Sequence, residues 1–536
     1  MRWWQAGIIY HVYPRSFVDS GGDGIGDLAG ITSRLDYLAA LGVDAVWISP
    51  FYRSPMADFG YDVADHTDVD PLFGTLADFD ALVAEAHRRK IRVLVDFVPN
   101  HTSDAHPWFR AARSSRDHPK RDWYLWADPA PGGGPPNNWR SVFGGPAWTL
   151  DERTGQYYYH AYLPEQPDLN WRHPEVRAAQ CDVLRFWLRR GVDGFRVDAC
   201  RQLVKDERLR DNPVNPDYHP GLPPYQALLP VFTAERPELL DVLGELRRTL
   251  DQHRGDGVLL GEMYLPVERL PRYYGANGEG LHLPSNTQLI SCPYRAADIA
   301  ALIRRYEAAL PDHAWPNWML GNHDRSRIAT RVGAAQARVA AMLLLTLRGT
   351  PILYYGDEIG MTDVAVPEHL VRDPYARRVP HLAVGRDPER SPMQWSPGPH
   401  AGFCPPGATP WLPVSPDADR VNVARQDRDP ASLLALYRRL IALRRAERAL
   451  SVGRCTDVAA HGDVLTYRRT HADRDLLVAL NLAGRPVTVP LPHPGRVLLG
   501  TDADRAGDHV EGTLPLRGDE GVILAPPRGC GPTASP

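Results

Sequence analysis

The sequence predicts an α/β chain: a closed (β/α)8 TIM barrel with an inserted subdomain after its third strand, followed by a C-terminal antiparallel β-domain. Three observations lead there. Short apolar runs rich in β-branched and aromatic residues alternate with helix-period segments through the first hundred residues and again from 174 to 355. Strand–helix–strand at this spacing implies parallel strands joined by right-handed crossovers. Eight such runs can be counted, each ending in polar residues, which fits a closed barrel better than an open sheet.

The first strands are placed at 7–13 (GIIYHVY), 44–50 (DAVWISP) and 91–98 (IRVLVDFV), with an amphipathic helix at 76–90 whose apolar positions fall at 76, 79, 82, 83 and 86. The alternation breaks at 102–172, a stretch rich in Pro, Gly, Trp and Tyr that is too long for a barrel loop and reads as an inserted subdomain. It resumes at 174, where PEVRAAQCDVLRFWLRRG puts proline at a helix start and glycine just past its end. Strands follow at 192–198, 257–262, weakly at 285–291, at 316–321 and at 350–355, with a helix at 334–348. Polar, proline-rich loops fill 201–237 and 356–430, and a helix is predicted at 431–446. From about 451 the helical periods stop, and TYRRT, LLVALNL, PVTVPL, RVLLGT and GVILA read as short antiparallel strands. The predicted division is therefore 1–101 with 173–450 as barrel, 102–172 as insert and 451–536 as β-domain.

The totals bound the partners. At 536 residues, 43% apolar and 24% charged, the chain has the composition of a soluble globular protein. A formal net charge of −4 gives no reason to expect nucleic acid or an anionic membrane. No apolar run approaches the ~18 residues of a membrane span, and the N-terminus lacks the pattern of a signal peptide. The six cysteines (181, 200, 292, 404, 455 and 530) form no C-x-x-C pair. Free thiols in a reducing cytoplasm are expected rather than a disulfide framework or a zinc site.

Four strand ends bear polar clusters: DFVPNH (96–101), GFRVDA (194–199), LLGEMY (259–264) and LGNHDRSR (320–327). On a barrel all four open on one face, bringing together Asp96, His101, Arg196, Asp198, Glu262, His323 and Asp324. Glycosidic bond cleavage needs such a set: one ionised carboxylate to attack the anomeric carbon and one protonated carboxyl for the leaving oxygen. An arginine beside Asp198 keeps that carboxylate ionised, and crowding by neighbouring carboxylates suits Glu262 to the acid role.

These four motifs, in this order, resemble the signature regions of glycoside hydrolase family 13, the α-amylase family, and the likeness covers nearly the whole chain. EQPDLNW (165–171) and GRDPERSPMQW (385–395) resemble stretches of its α-glucosidase and oligo-1,6-glucosidase branch. The resemblance implies that Asp198 is the nucleophile, Glu262 the acid/base and Asp324 the group that grips sugar hydroxyls. It implies that Arg196 orients Asp198, that His101 and His323 hold hydroxyls, and that Asp96 is supportive. DFGYDVA (58–64) resembles the loop that closes the inner end of the family's pocket. Asp58 would pair with a late arginine, Arg390 by motif position or else Arg386, and would bind a terminal glucose. Tyr61 would stack under that sugar and Phe143 would line the rim.

The loop DSGGDGIGD (19–27) alternates acidic residues and glycines, a pattern of oxygen ligands for a cation. It is similar to a structural calcium site of the family, implying ligands at Asp19, Gly21, Asp23, Ile25 and Asp27, with Gly21 standing where relatives often have Asn. Ala199 after the nucleophile departs from the valine of α-1,6-preferring relatives and implies a leaning to α-1,4 bonds. The expected activity is a retaining, exo-acting α-glucosidase on small α-glucosides: maltose, maltooligosaccharides, isomaltose, trehalose and sucrose are the candidates. Two rivals stand beside it, a transglucosylase or sucrose- or trehalose-forming isomerase with the same machinery, and a non-catalytic binding subunit.

Overall fold

The computed structural model of the chain describes residues 1–491 and 493–526. Eight parallel strands form its central sheet: β1 (Ile9–Val12), β2 (Ala45–Ile48), β3 (Arg92–Phe97), β4 (Gly194–Val197), β5 (Val258–Gly261), β6 (Leu283–Pro284), β7 (Asn317–Met319) and β8 (Thr350–Tyr354). The order is β6-β5-β4-β3-β2-β1-β8-β7, a nearly closed barrel. Between β6 and β7 the seam is joined by one side chain: Asn317 Oδ1 accepts the Asn286 N–H at 2.9 Å, and its Nδ2 donates to the Pro284 carbonyl at 2.7 Å.

The strands are short and buried on both faces, so they read as continuous apolar runs. The weakest reading misses its place: 285–291 was expected as a strand, but β6 ends at Pro284 and Gln288–Ser291 is a helical turn. Proline ends the ladder there because it has no N–H to give. The helices begin where their caps predict. Thr75 and Asp78 form a reciprocal capping box on Leu76–Arg88, and His173 with Pro174 opens Pro174–Arg189. Helix Ile328–Thr346 is long and apolar enough to cross a membrane by length and composition, although Arg331, Gln336 and Arg338 leave it without a continuous apolar run of that length. Gly333 (φ 79°, ψ 161°) breaks it after one turn, and its apolar side chains from Val339 to Leu345 are packed in the core.

Between β3 and the helix Pro174–Arg189, a three-stranded antiparallel sheet (Trp126–Ala127, Gln156–Tyr159, Trp148–Asp151) packs around Trp139, Trp148 and Tyr159. A fully buried ammonium ties this region to the barrel: Lys205 Nζ lies 2.5 Å from Asp168 and 2.7 Å from Asn100 Oδ1. After Leu433–Ala446 the chain forms a six-stranded antiparallel sheet and a two-stranded one. Val464, Ala479, Val489, Leu514 and Val522 fill the core between them. The five described cysteines are free thiols; Cys530 lies outside the described residues.

Candidate active site

Sheet register assembles the centre of the site. Val197 pairs with Gly261, so the next residues, Asp198 and Glu262, stand side by side where β4 and β5 end. The ladder still holds both: Asp198 N–H donates to the Phe97 carbonyl at 2.8 Å and Glu262 N–H to the Val197 carbonyl at 2.9 Å. Asp96 pairs with Arg196 across β3 and β4. One guanidinium serves all three acids: Arg196 Nη1 reaches Asp96 at 2.7 Å and Asp198 at 2.5 Å, and Nη2 reaches Glu262 at 2.7 Å. A side-by-side pair of N–H donors is what a planar guanidinium offers and a lysine does not. The other oxygen of Glu262 accepts the Ala199 N–H at 2.7 Å, made possible by a left-handed turn at Ala199 (φ 44°, ψ 28°).

Burial raises the Asp198 carboxyl, Arg196 opposes, and the charges of Glu262 and Asp96 raise it further. The Arg196 charge was expected to keep Asp198 ionised, but it offsets burial only in part, and the direction at Asp198 is upward. Asp96, also raised by burial against the pull of Arg196, sits at about 6. Asp324 behaves oppositely. Burial would raise it, but His323, Arg386 and Arg390 outweigh burial and hold it well below the usual carboxylate range.

These groups face a cavity of about 210 Å³ lined by Asp58, Tyr61, His101, Phe143, Asp198, Ala199, Glu262, His323, Asp324 and Arg386, among others. Tyr61 stacks on His323 (centroids 5.4 Å apart), and its hydroxyl lies 2.7 Å from His323 Nε2 and 3.1 Å from Asp96. Phe143 lies beneath the Arg386 guanidinium, 4.8 Å from ring centroid to Cζ. Burial lowers both pocket histidines, His101 to about 4.

One expected contact is corrected. Arg386, not Arg390, pairs with Asp58, at 2.8 Å. The short 3-10 turn Pro388–Arg390 points Arg390 inward, where it is fully buried and binds Asp324 at 2.8 Å and the His323 carbonyl at 2.7 Å. Arg390 and Arg196 are thus behind the cavity wall and not on it. Arg386 owes its place to Asp373, whose Oδ1 accepts from Nη2 at 2.6 Å and Nε at 3.1 Å, and whose Oδ2 accepts the Arg386 backbone N–H at 2.8 Å.

Sequence reading missed part of the wall. Tyr162, Gln166, Gln202, Tyr225, Tyr264, Arg325 and Tyr375 also line it. Tyr264 and Arg325 could have been found, lying two residues beyond Glu262 and one beyond Asp324, and Gln166 sits inside the EQPDLNW motif. Tyr225 and Tyr375 come from loops with no periodic signal.

In the loop at 19–27, the carboxylates expected to hold a calcium ion accept hydrogen bonds from the loop's own residues. Asp19 spends its two oxygens on the Gly22 and Gly24 N–H groups, at 2.6 and 2.8 Å. Asp27 accepts from Ser20, Gly21 and Gly30, and caps helix Leu28–Ser33, while the exposed Asp23 accepts from Ile25 N–H. The Ile25 carbonyl, the backbone oxygen expected as a ligand, is not engaged by that N–H bond, and Gly21 offers no side-chain oxygen. Among the described residues no three His, Cys, Asp or Glu side chains converge as a metal site.

Residues 11–453 match the family model for the alpha amylase catalytic domain, and 453–523 match a domain of unknown function, DUF3459. A probable alpha-glucosidase of Rhizobium meliloti is 42% identical over 508 residues, covering 91% of each chain. Among solved structures, the alpha-glucosyl transfer enzyme XgtA superposes with a TM-score of 0.92 at 42% identity, covering 98% of this chain and 100% of its own. The trehalulose synthase MutB of Pseudomonas mesoacidophila superposes with 0.90 at 34% identity, covering 98% and 99%.

Proposed function

The chain belongs to the alpha-amylase family of glycoside hydrolases, and from that premise we propose that it is a retaining α-glucosidase that removes single glucose units from the non-reducing ends of short α-glucosides. The observation that supports this most is the Arg196 guanidinium gripping Asp198 and Glu262 at once. Two carboxyl groups on one guanidinium have the close spacing of the double-displacement class, not the wider gap that admits a water between them.

In the first step an ionised Asp198 oxygen attacks the anomeric carbon while a protonated Glu262 gives its proton to the departing glycosidic oxygen. The carbon–oxygen bond to the leaving group breaks and a glucosyl ester on Asp198 forms. In the second, Glu262 takes a proton from water, whose oxygen attacks the same carbon and releases Asp198. Asp324, kept ionised by two arginines, would accept hydrogen bonds from sugar hydroxyls and balance the positive charge developing on the ring. Asp58 with Arg386 would bind the terminal glucose at the closed inner end, which supports exo action. The small Ala199 at the wall supports a leaning to α-1,4 bonds, with α-1,6 and α-1,1 bonds also accepted.

Transfer of glucose to a sugar hydroxyl is the second reading. It is favoured by the tyrosines 225, 264 and 375 on the cavity wall, flat faces on which an acceptor ring can rest, and by the likeness to a glucosyl transfer enzyme. One experiment separates the readings. Maltose, isomaltose, trehalose and sucrose are incubated dilute and concentrated, and the products are followed by NMR. Hydrolysis with retention releases α-glucose first, and β-glucose as the first product would overturn the mechanism. New di- or trisaccharides at high concentration would establish transfer.

A further inference from the structure

Asn100 and Lys205 take no step in that reaction, yet both are buried beside the pocket, 0% and 3% exposed. Lys205 Nζ lies 2.5 Å from Asp168 Oδ2 and 2.7 Å from Asn100 Oδ1. An ammonium only donates hydrogen bonds, so Asn100 must turn its carbonyl oxygen to Lys205. Its Nδ2 then faces Asp168 Oδ2 at 2.9 Å and His101 Nδ1 at 3.1 Å. Reversing the amide would set its N–H groups against the ammonium and its oxygen against the Asp168 carboxylate. Two charges therefore fix the Asn100 orientation.

The consequence falls on His101. Asn100 Nδ2 donates, so His101 Nδ1 accepts and has no proton. On the other side of the ring, Nε2 lies 3.0 Å from the Tyr61 carbonyl oxygen, which only accepts. Nδ1, faced by a donor, must accept, and in a neutral ring that leaves the proton on Nε2. Gln166 Nε2, 3.1 Å from His101 Nε2, is an amide donor that competes with the Tyr61 carbonyl for this nitrogen, and the Asn100 donor at Nδ1 decides between them. Gln166 Nε2 has Asp58 Oδ2 at 3.3 Å, while Gln166 Oε1 accepts the Leu163 N–H at 3.1 Å. Burial lowers His101 to about 4, which keeps the ring neutral at pH 7.

We propose that Lys205, acting through Asn100, sets the tautomer of His101, so that the ring offers a proton on Nε2 at the pocket wall. Lys205 and Asn100 are positioning residues, and Asp168 holds the ammonium in place. The device rests on the reading above only in its purpose: the Nε2–H that bonds the Tyr61 carbonyl can be shared, as a three-centre bond, with a hydroxyl oxygen of the bound sugar.

The test is 15N NMR of protein labelled at histidine, with the His101 signals assigned by their loss in His101→Gln. In the unaltered protein His101 is expected to show a protonated Nε2 and a bare Nδ1; the opposite pattern would overturn the proposal, whatever the variants do. Asn100→Asp gives Nδ1 an acceptor and is expected to move the proton to Nδ1, lowering kcat/KM on maltose about tenfold or more. In Lys205→Met the amide is released from its charge, and His101 is expected to lose its single tautomer. An unmoved tautomer in a folded Asn100→Asp protein would also overturn the proposal. A reversed tautomer with kcat/KM intact would support the relay and reject the contact between His101 and the sugar.

Discussion

Ala199 donates its backbone N–H to Glu262 Oε2 at 2.7 Å, from a left-handed conformation that alanine adopts only at a cost. The turn immediately follows Asp198, so one strained residue links the backbone of Asp198 to the Glu262 carboxyl. Strain at such a point persists because the surroundings over-determine it.

Replacing Ala199 by glycine relieves that strain. Ala199→Gly is expected to gain about 0.5–1 kcal/mol of stability in denaturant unfolding, offset in part by the entropy of glycine in the unfolded chain. Ala199→Val adds a β-branched side chain at the cavity wall. It is expected to lower the maltose-to-isomaltose rate ratio; an unchanged ratio would remove the proposed link between this residue and bond preference.

Arg386 spans Asp58, Asp324 and Asp373. Arg386→Lys keeps the charge but cannot hold three carboxylates with one ammonium. KM for maltose is expected to rise about tenfold or more, with kcat affected less, because the bond to the terminal glucose is made in ground and transition state alike. Arg390→Lys acts through Asp324 and is expected to lower kcat. The reverse assignment would return the pocket role to Arg390.

Glu389 is 4% exposed, and burial pushes its carboxyl up to about 8, against the pull of Arg390. The folded protein therefore keeps a proton that the unfolded chain releases near its ordinary value. This contribution is fully present below that value and is lost as pH rises through about 8. Glu389→Gln is expected to flatten the fall in stability between pH 5 and 8, where one proton contributes a slope of at most about 1.4 kcal/mol per pH unit. Urea unfolding at pH 5, 6.5 and 8 measures it, and parallel curves for the two proteins would refute the assignment.

The loop at 19–27 closes on its own amide hydrogen bonds, so prolonged EDTA treatment is expected to leave Tm and activity unchanged. A drop in Tm that calcium alone reverses would restore the cation.

Much of this was legible in the sequence because strand ends are short-range facts. The apolar run into GFRVDA fixes where β4 ends, and parallel register then puts Asp198 beside Glu262 without further information. The partner of Asp58 was not legible by the same means. Arg386 and Arg390 are four residues apart in one loop, and what separates them is the Pro388–Arg390 turn and a carboxylate at Asp373 that grips only the first. Neither leaves a periodic trace. The His101 relay is hidden for a related reason: Asn100, Asp168 and Lys205 come from three segments that meet only once the insert has folded back.

A hoop with one clasp has a natural place to spring. Asn317 fastens β7 to β6 with a single side-chain amide where every other neighbouring pair is laced by backbone, and β7 leads directly to His323 and Asp324. Asp324 therefore follows a stave laced by backbone on one side only, while Asp198 and Glu262 follow staves laced on both sides, and local opening is expected to be easiest at the clasp. Among the barrel strands, amide exchange fastest at Ser285, Asn286 and 317–319, and faster still in Asn317→Ala, is the mark that this clasp would leave.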